Sequence, residues 1–229
     1  MKVLVACEES QAVCKAFRAL GHEAYSCDVQ EPSGGHPEWH ILGDALKAIE
    51  GGRIVTMDGK VHDVGKWDLL IAHPPCTYLT SSSAVRLFNA DHSVKDPARE
   101  AKGWAAREFF LRMLNADIKK VVVENPTPLH HFDLPPYSQI INPNMFGDPW
   151  LKRTCLWLRG VPPLVPTNIV EAKELWVGST CKRRDAPRKT PRKYELSSNR
   201  DSKKRAKTFP GIAAAMAMQW GGDIRGATC

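Results

Sequence analysis

A thiol and a carboxyl group occur in two short segments of this sequence that are suited to chemistry. Cys76 ends the run HPPC at residues 73–76, and Glu124 opens the run ENP. A thiolate adds readily to an electron-poor ring while an acid protonates or steadies a ring nitrogen. The alternative is a buried thiol and a turn cap, because most cysteines are buried and inert. We favour nucleophilic chemistry because each residue follows a predicted strand.

The strands that carry these two residues are short and apolar. Residues 67–72 (WDLLIA) predict a buried strand that runs directly into two prolines, which cannot continue a central strand and form a rigid corner. Residues 119–123 predict the next strand, which breaks at Glu124. Ligands bind at the carboxyl ends of strands in an open α/β sheet, so we expect Cys76 and Glu124 to face one site.

The beginning of the chain predicts a β-α-β unit, which builds a parallel sheet. Residues 1–7 and 23–28 are typical of strands, and residues 10–20 have the apolar spacing of a helix. Asp28 ends the second strand, where nucleotide-binding proteins place an acid for ribose hydroxyls, although an acid there also caps turns. The first loop, EESQ, lacks the glycines of a pyrophosphate site, which favours a nucleoside such as S-adenosylmethionine.

Further elements follow from periodicity and turn residues. We predict a helix over 45–50, a type I′ hairpin over 53–62 turning at Asp58-Gly59, a helix over 98–115, a strand over 153–158 and a helix over 212–220.

Composition is that of a globular protein with one domain or one domain and an appendage. The chain has 229 residues, 43% of them hydrophobic. No apolar run approaches the roughly 18 residues of a membrane span and no signal peptide is evident, so we expect a cytoplasmic protein. The seven cysteines form an odd set without a CxxC pair, which predicts neither a disulfide framework nor a metal site.

Positive charge is concentrated in one segment. Residues 178–209 hold twelve Lys or Arg against three acids, whereas the whole chain has a net charge of +7. Clustered Lys and Arg displace counterions from a phosphate backbone, so this basic segment favours a nucleic acid as partner. A solvated loop that aids solubility is the alternative.

Two motifs resemble the signatures of the DNA cytosine C5-methyltransferases. The run PPC at 74–76 resembles the Pro-Cys nucleophile motif of that family, and ENP at 124–126 resembles its Glu-Asn-Val motif. The run DPAR at 96–99 is similar to the Asp-x-Arg segment, and residues 139–153 to a later segment that ends in basic residues. The resemblance covers most of residues 1–160 and the terminal helix.

The resemblance implies an α/β, Rossmann-like S-adenosylmethionine-dependent methyltransferase fold with a mostly parallel central sheet. It places the S-adenosylmethionine contacts in the loops after the strands. These are expected at Ala6, Cys7, Glu8, Ser10, Gln11, Asp28, Val29, Asp44 and Pro74. The family is usually glycine-rich where this chain has EESQ.

The resemblance also implies a mechanism. The Cys76 thiolate adds to C6 of cytosine, Glu124 contacts N3, and C5 takes a methyl group from S-adenosylmethionine before losing its proton. Arg153 is expected to position the cytosine or a phosphate. A helix N-terminus after Cys76, together with Arg153, is expected to stabilise the thiolate. The base must leave the DNA stack to be reached.

The resemblance implies three segments. They are a catalytic and cofactor-binding domain at 1–160, a short basic, proline-rich DNA-recognition region at 161–209, and a C-terminal helix at 210–229 that packs back on the domain. So small a recognition region predicts low or short sequence specificity. We expect a monomer. The DNA contacts are expected at Thr77, Arg99, Lys152, Arg183, Arg184, Lys203, Lys204 and Arg205.

Other functions fit the same residues. The small recognition region also suits a transferase that acts on free cytidine nucleotides, or one that donates a group other than methyl. A third hypothesis is that the protein is a catalytically inactive DNA-binding relative.

Overall fold

A computed structural model of the chain describes residues 1–172 and 207–222. The expected DNA contacts Arg183, Arg184, Lys203, Lys204 and Arg205, with most of the basic segment, lie outside the described residues.

The described residues form a seven-stranded sheet with the order β3-β2-β1-β6-β7-β9-β8. Only β9 runs against the others, so the prediction of an α/β protein with a mostly parallel sheet is confirmed. The strands are β1 (Lys2–Ala6), β2 (Glu23–Asp28), β3 (His40–Leu42), β6 (Leu69–Ala72), β7 (Lys120–Pro126), β8 (Gln139–Ile141) and β9 (Thr154–Arg159). A separate antiparallel hairpin consists of β4 (Gly52–Val55) and β5 (Val61–Gly65).

Helices cover both faces of the sheet. They are α1 (Ala12–Ala19), α2 (Ala45–Ile49), α3 (Ala84–Leu87), α4 (Pro97–Leu114) and α5 (Pro210–Met216), which continues as a π-helical turn over Ala217–Gly221. Within the described part of the chain, no helix combines the length and the apolar character that a membrane crossing needs.

The core has two layers because neighbouring strand residues point to opposite faces. Leu4 and Val123 face the layer that α2 and α4 cover, whereas Val5 and Val122 face the layer under α1 and α5. The long helix α4 packs closely at Gly103 on the 3₁₀ turn His130–Phe132, because an added Cβ would overlap the Phe132 ring.

Two predicted details were wrong. The hairpin turn is not type I′, because that turn requires positive φ at both central residues and only Gly59 has it. The Asp58 carboxylate instead accepts hydrogen bonds from the Thr56 hydroxyl (2.6 Å) and the Lys60 amide (3.2 Å), which stabilise a longer loop.

The second wrong detail is the end of β7, which does not break at Glu124 but continues through Pro126. The antiparallel strand β9 pairs with this extension, Glu124 opposite Leu156 and Pro126 opposite Thr154. The short strands β3 and β8 were not predicted, because three residues carry too little periodic pattern to be recognised.

Candidate active site

Strand register brings the two motifs together. Ala72 pairs with Val123 across the parallel strands β6 and β7, so His73, the first residue after β6, lies beside Glu124, which is still within β7. The His73 Nδ1 donates to Glu124 Oε2 at 2.8 Å, and the two side chains are only 12% and 13% exposed. The chain reaches Cys76 three residues beyond His73, at the end of the strand beside Glu124.

The His73–Glu124 pair is charged in character. Burial acts to lower the pKa of His73, but the hydrogen bond and the charge of Glu124 outweigh burial and raise this pKa above its usual value. Burial acts to raise the pKa of Glu124, but the His73 hydrogen bond and the Lys152 charge overcome it and lower this pKa. The pair therefore favours an imidazolium beside a carboxylate.

The loop that carries Cys76 is held at both ends. Pro74 is buried and Cys76 is half-buried. The Cys76 carbonyl accepts hydrogen bonds from the amides of Leu79 and Thr80, each at 3.2 Å, which close a turn. The Leu79 carbonyl in turn accepts from the Leu129 amide at 2.7 Å, so the loop is tied to the segment that follows β7.

No helix follows Cys76 directly, which corrects the expectation that a helix N-terminus would lie beside the thiol. Turn residues come first, then a 3₁₀ turn over Ser81–Ser83 and the four-residue α3. The prolines and the turn that closes on the Cys76 carbonyl leave α3 to begin eight residues later, at Ala84.

Arg99, on the first turns of α4, contacts the same loop. Its guanidinium donates from Nη2 to the Thr77 carbonyl at 2.9 Å and lies 4.8 Å from the centre of the Tyr78 ring. Asp96 caps α4 by accepting from the Arg99 amide at 2.9 Å. In this structure Arg99 therefore holds the Cys76 loop to α4, and Thr77 is exposed beside it.

Lys152 and Arg153 are directed to different places. Lys152 lies near the pair, since its charge lowers the pKa of both Glu124 and His73. With Glu124, Lys152 lines a pocket that α5 closes through Ile212 and Met216. Arg153 is exposed and donates to the Tyr137 hydroxyl at 3.4 Å.

The loop between β1 and α1 contains left-handed backbone conformations that are usual for glycine, although it has no glycine. Cys7 and Gln11 have φ of 59° and 57°, the left-handed region that side chains rarely adopt. The Gln11 amide group compensates, since it donates to the Ser26 hydroxyl (3.1 Å) and the His36 carbonyl (2.8 Å) and accepts from the His36 amide (3.0 Å). Gly34 packs so closely that an added Cβ would lie 2.5 Å from Gln11 Cβ.

Glu8, in the same loop, closes the N-terminus of α1. Its carboxylate accepts from the amides of Val13 at 2.6 Å and Cys14 at 3.1 Å, and the side chain is buried. Burial is the main influence on its pKa and raises it. A helix N-terminus is a ready anion site, and here the chain's own carboxylate fills it.

Two further acids lie at the ends of β2 and β3. Asp28 accepts from the Gln30 amide at 3.0 Å, and Asp44 caps α2 by accepting from the Leu46 amide at 2.9 Å. Both approach Cys7 and Cys27, since after burial their charges help to raise the pKa of both thiols, that of Cys27 to about 12. Carboxylates grouped at this edge suit hydroxyl groups or a cation.

The remaining expected cofactor residues surround these acids. Ala6 is buried at the end of β1, Val29 is 76% exposed beyond Asp28, and the Ser10 hydroxyl accepts from the Ala12 amide at 3.4 Å. Carboxylates therefore line this edge, and the first amides of α1 are already bonded to Glu8.

Sequence reasoning missed the roles of His73, Lys152 and Glu8. His73 carried a usable signal, because it is the first residue after a buried strand and stands in a motif with a thiol. Glu8 had the weaker signal of an acid shortly before a predicted helix, and Lys152 had none that distinguished it from Arg153.

Among known proteins, the chain matches solved structures but no sequence family. No family model and no curated protein sequence matches the chain. One similar solved structure, described as a DNA modification methyltransferase encoded within an E. coli prophage, is 10% identical with a TM-score of 0.41, and the match covers 75% of this chain and 52% of that one.

Two further solved structures come from eukaryotes. The Entamoeba histolytica methyltransferase EhMeth is 16% identical with a TM-score of 0.42, covering 74% of this chain and 57% of that one. The S. pombe Dnmt2 methyltransferase is 15% identical with a TM-score of 0.37, covering 71% and 51%. The chain thus spans little more than half the length of these proteins, and at such scores its function must be argued from its own residues.

Proposed function

We propose that the protein is a DNA cytosine C5-methyltransferase in which Cys76 is the nucleophile. The register of β6 and β7 carries this proposal, because it sets the loop after β6, which holds His73 and Cys76, beside Glu124 of β7, and His73 is hydrogen-bonded to Glu124. A nucleophile in the loop after one strand and an acid on the neighbouring strand suit addition to a pyrimidine ring.

The proposed chemistry uses these residues in sequence. The Cys76 Sγ bonds to C6 of cytosine and the ring electrons move toward N3, where Glu124 holds the ring. After C5 has taken the methyl group, a base removes the C5 proton and the S–C6 bond breaks, which releases the Cys76 thiolate. Arg99 keeps the Cys76 loop in place through the Thr77 carbonyl. Neither C5 nor C6 can be reached correctly inside a duplex, so the target base is flipped out.

S-adenosylmethionine supplies the methyl group for C5. The edge formed by Ala6, Cys7, Asp28, Val29 and Asp44 would hold it, since carboxylates suit the ribose hydroxyls and the positive charge of the sulfonium. Glu8 occupies the amides of α1, so the carboxylate of the methyl donor is held elsewhere.

DNA is the proposed partner. Thr77 is exposed beside the nucleophile and Lys152 lies beside Glu124, so both stand where a flipped nucleotide enters. The concentration of Lys and Arg at 178–209 supports contact with phosphates, and its short length supports low or short sequence specificity.

The test is transfer of labelled methyl from S-adenosylmethionine to duplex DNA, single-stranded DNA and dCMP, with trapping on DNA that contains 5-fluorocytosine. We expect label in DNA and a covalent complex. Label in dCMP alone would identify an enzyme of free nucleotides, and no label in any substrate would refute the proposal.

Two variants make the test specific to Cys76. Cys76→Ser should lower transfer at least about a thousandfold, as loss of a nucleophile does. Cys14→Ser is the matched control. A serine at this position keeps a donor to the Ala24 carbonyl, which lies 3.5 Å from the thiol, so this variant should transfer methyl normally. Full activity of Cys76→Ser would exclude Cys76 as the nucleophile.

A further inference from the structure

His73 uses only one of its two ring nitrogens. Its Nδ1 fixes Glu124 Oε2 at 2.8 Å, whereas its Nε2 is buried and has no hydrogen-bond partner within residues 1–172 and 207–222. Buried polar atoms are normally paired, so a half-satisfied imidazole beside a proposed active site calls for a role. Fixing one carboxylate oxygen also sets the direction of the other.

Three charged groups surround this imidazole from different elements. Glu124 belongs to β7, Glu8 to the β1–α1 loop, and Lys152 to the segment before β9, and each acts on the His73 charge. The hydrogen-bonded Glu124 carboxylate favours a protonated His73 most strongly, the charge of Glu8 acts in the same direction, and Lys152 opposes both. An uncompensated charge in a buried site is costly, so the group favours the imidazolium.

We propose that His73 is a positioning residue that orients Glu124 and supplies the proton that Glu124 passes to N3 of the base. The inference rests on the proposed function. As the S–C6 bond forms, the electron pair of the C5–C6 double bond moves through the ring and N3 takes a proton. The N3–H bond forms and the Nδ1–H bond of His73 breaks, so Glu124 ends as a carboxylate and His73 as a neutral imidazole. When the S–C6 bond breaks, N3 loses this proton through Glu124, and His73 is protonated again before the next turnover.

The experiment measures the rate of covalent complex formation on 5-fluorocytosine DNA between pH 5.5 and 9.5. The parent protein should lose rate as pH rises through the raised pKa of His73, because the imidazolium is lost. His73→Asn keeps an N–H donor near the position of Nδ1 but cannot titrate. It should be at least about tenfold slower at pH 7 and lack the pH-dependent fall, since general acid–base groups contribute about 10² to 10⁴.

Two further variants separate proton supply from orientation and folding. His73→Ala removes the donor as well and should be slower than His73→Asn. His131→Asn alters a chemically matched pair, since His131 Nε2 lies 2.7 Å from Glu100 Oε1 outside the proposed site, and should keep the parent pH profile. Thermal melting of each variant reports whether the fold is intact.

The outcomes distinguish the role of His73 from the proposed function of the protein. A His73→Asn variant that keeps the parent's fall in rate at high pH would overturn the role of His73 and leave the proposed function standing. A parent protein that forms no covalent complex and transfers no methyl would overturn the proposed function itself.

Discussion

Replacing Glu8 with alanine should destabilise the protein, because Glu8 caps α1 from inside the preceding loop. The change leaves the amides of Val13 and Cys14, now bonded at 2.6 and 3.1 Å, without acceptors. Loss of an N-terminal cap costs about 0.5 to 2 kcal/mol, and a buried donor left unsatisfied costs about 1 to 3 kcal/mol. Removal of a buried charge offsets part of this loss.

We therefore expect a net loss of about 1 to 2 kcal/mol in the free energy of unfolding for Glu8→Ala. For a chain of this size that lowers Tm by about 2 to 8 °C. Chemical denaturation and thermal melting measure both quantities. Glu9→Ala is the matched control. Removing a carboxylate without such a buried capping role should change the free energy of unfolding by less than about 0.5 kcal/mol.

The same carboxyl group predicts a pH effect. Its pKa is raised in the folded protein, so its contribution to stability is complete below its usual pKa near 4.5 and is lost as pH rises through the folded value. Glu8→Gln keeps the volume and one acceptor but cannot titrate, so the difference in stability between parent and variant should shrink as pH rises. Unchanged stability of Glu8→Ala would refute the capping role, and a pH-independent difference for Glu8→Gln would refute the direction of the pKa shift.

Three further predictions concern α4 and the methyl-donor edge. Gly103→Ala should lower the free energy of unfolding by about 1 to 3 kcal/mol despite the better helix propensity of alanine, because its Cβ overlaps the Phe132 ring; a stabilised variant would contradict this packing. Arg99→Lys should slow covalent trapping about tenfold with little change in Tm, since lysine cannot both bond the loop and stack on Tyr78. Asp28→Asn should weaken S-adenosylmethionine binding about tenfold in calorimetry, and equal affinity would place the methyl donor elsewhere.

Much of the sheet and the chemical motifs could be predicted from the sequence because their signals are local. Apolar runs marked β1 and β6, and the prolines after β6 marked the corner before Cys76. The runs HPPC and ENP were recognisable as short motifs. The α/β class followed from the alternation of strand and helix patterns, which each segment carries by itself.

Tertiary structure decided which side chains meet. The register that pairs Ala72 with Val123 sets His73 against Glu124, and the antiparallel partner β9 extends β7 through Glu124. Nothing local distinguishes Lys152, which lies near Glu124, from Arg153, which bonds Tyr137. Contacts between residues far apart in the chain depend on how whole strands align, and a one-residue shift of a strand turns every side chain to the other face.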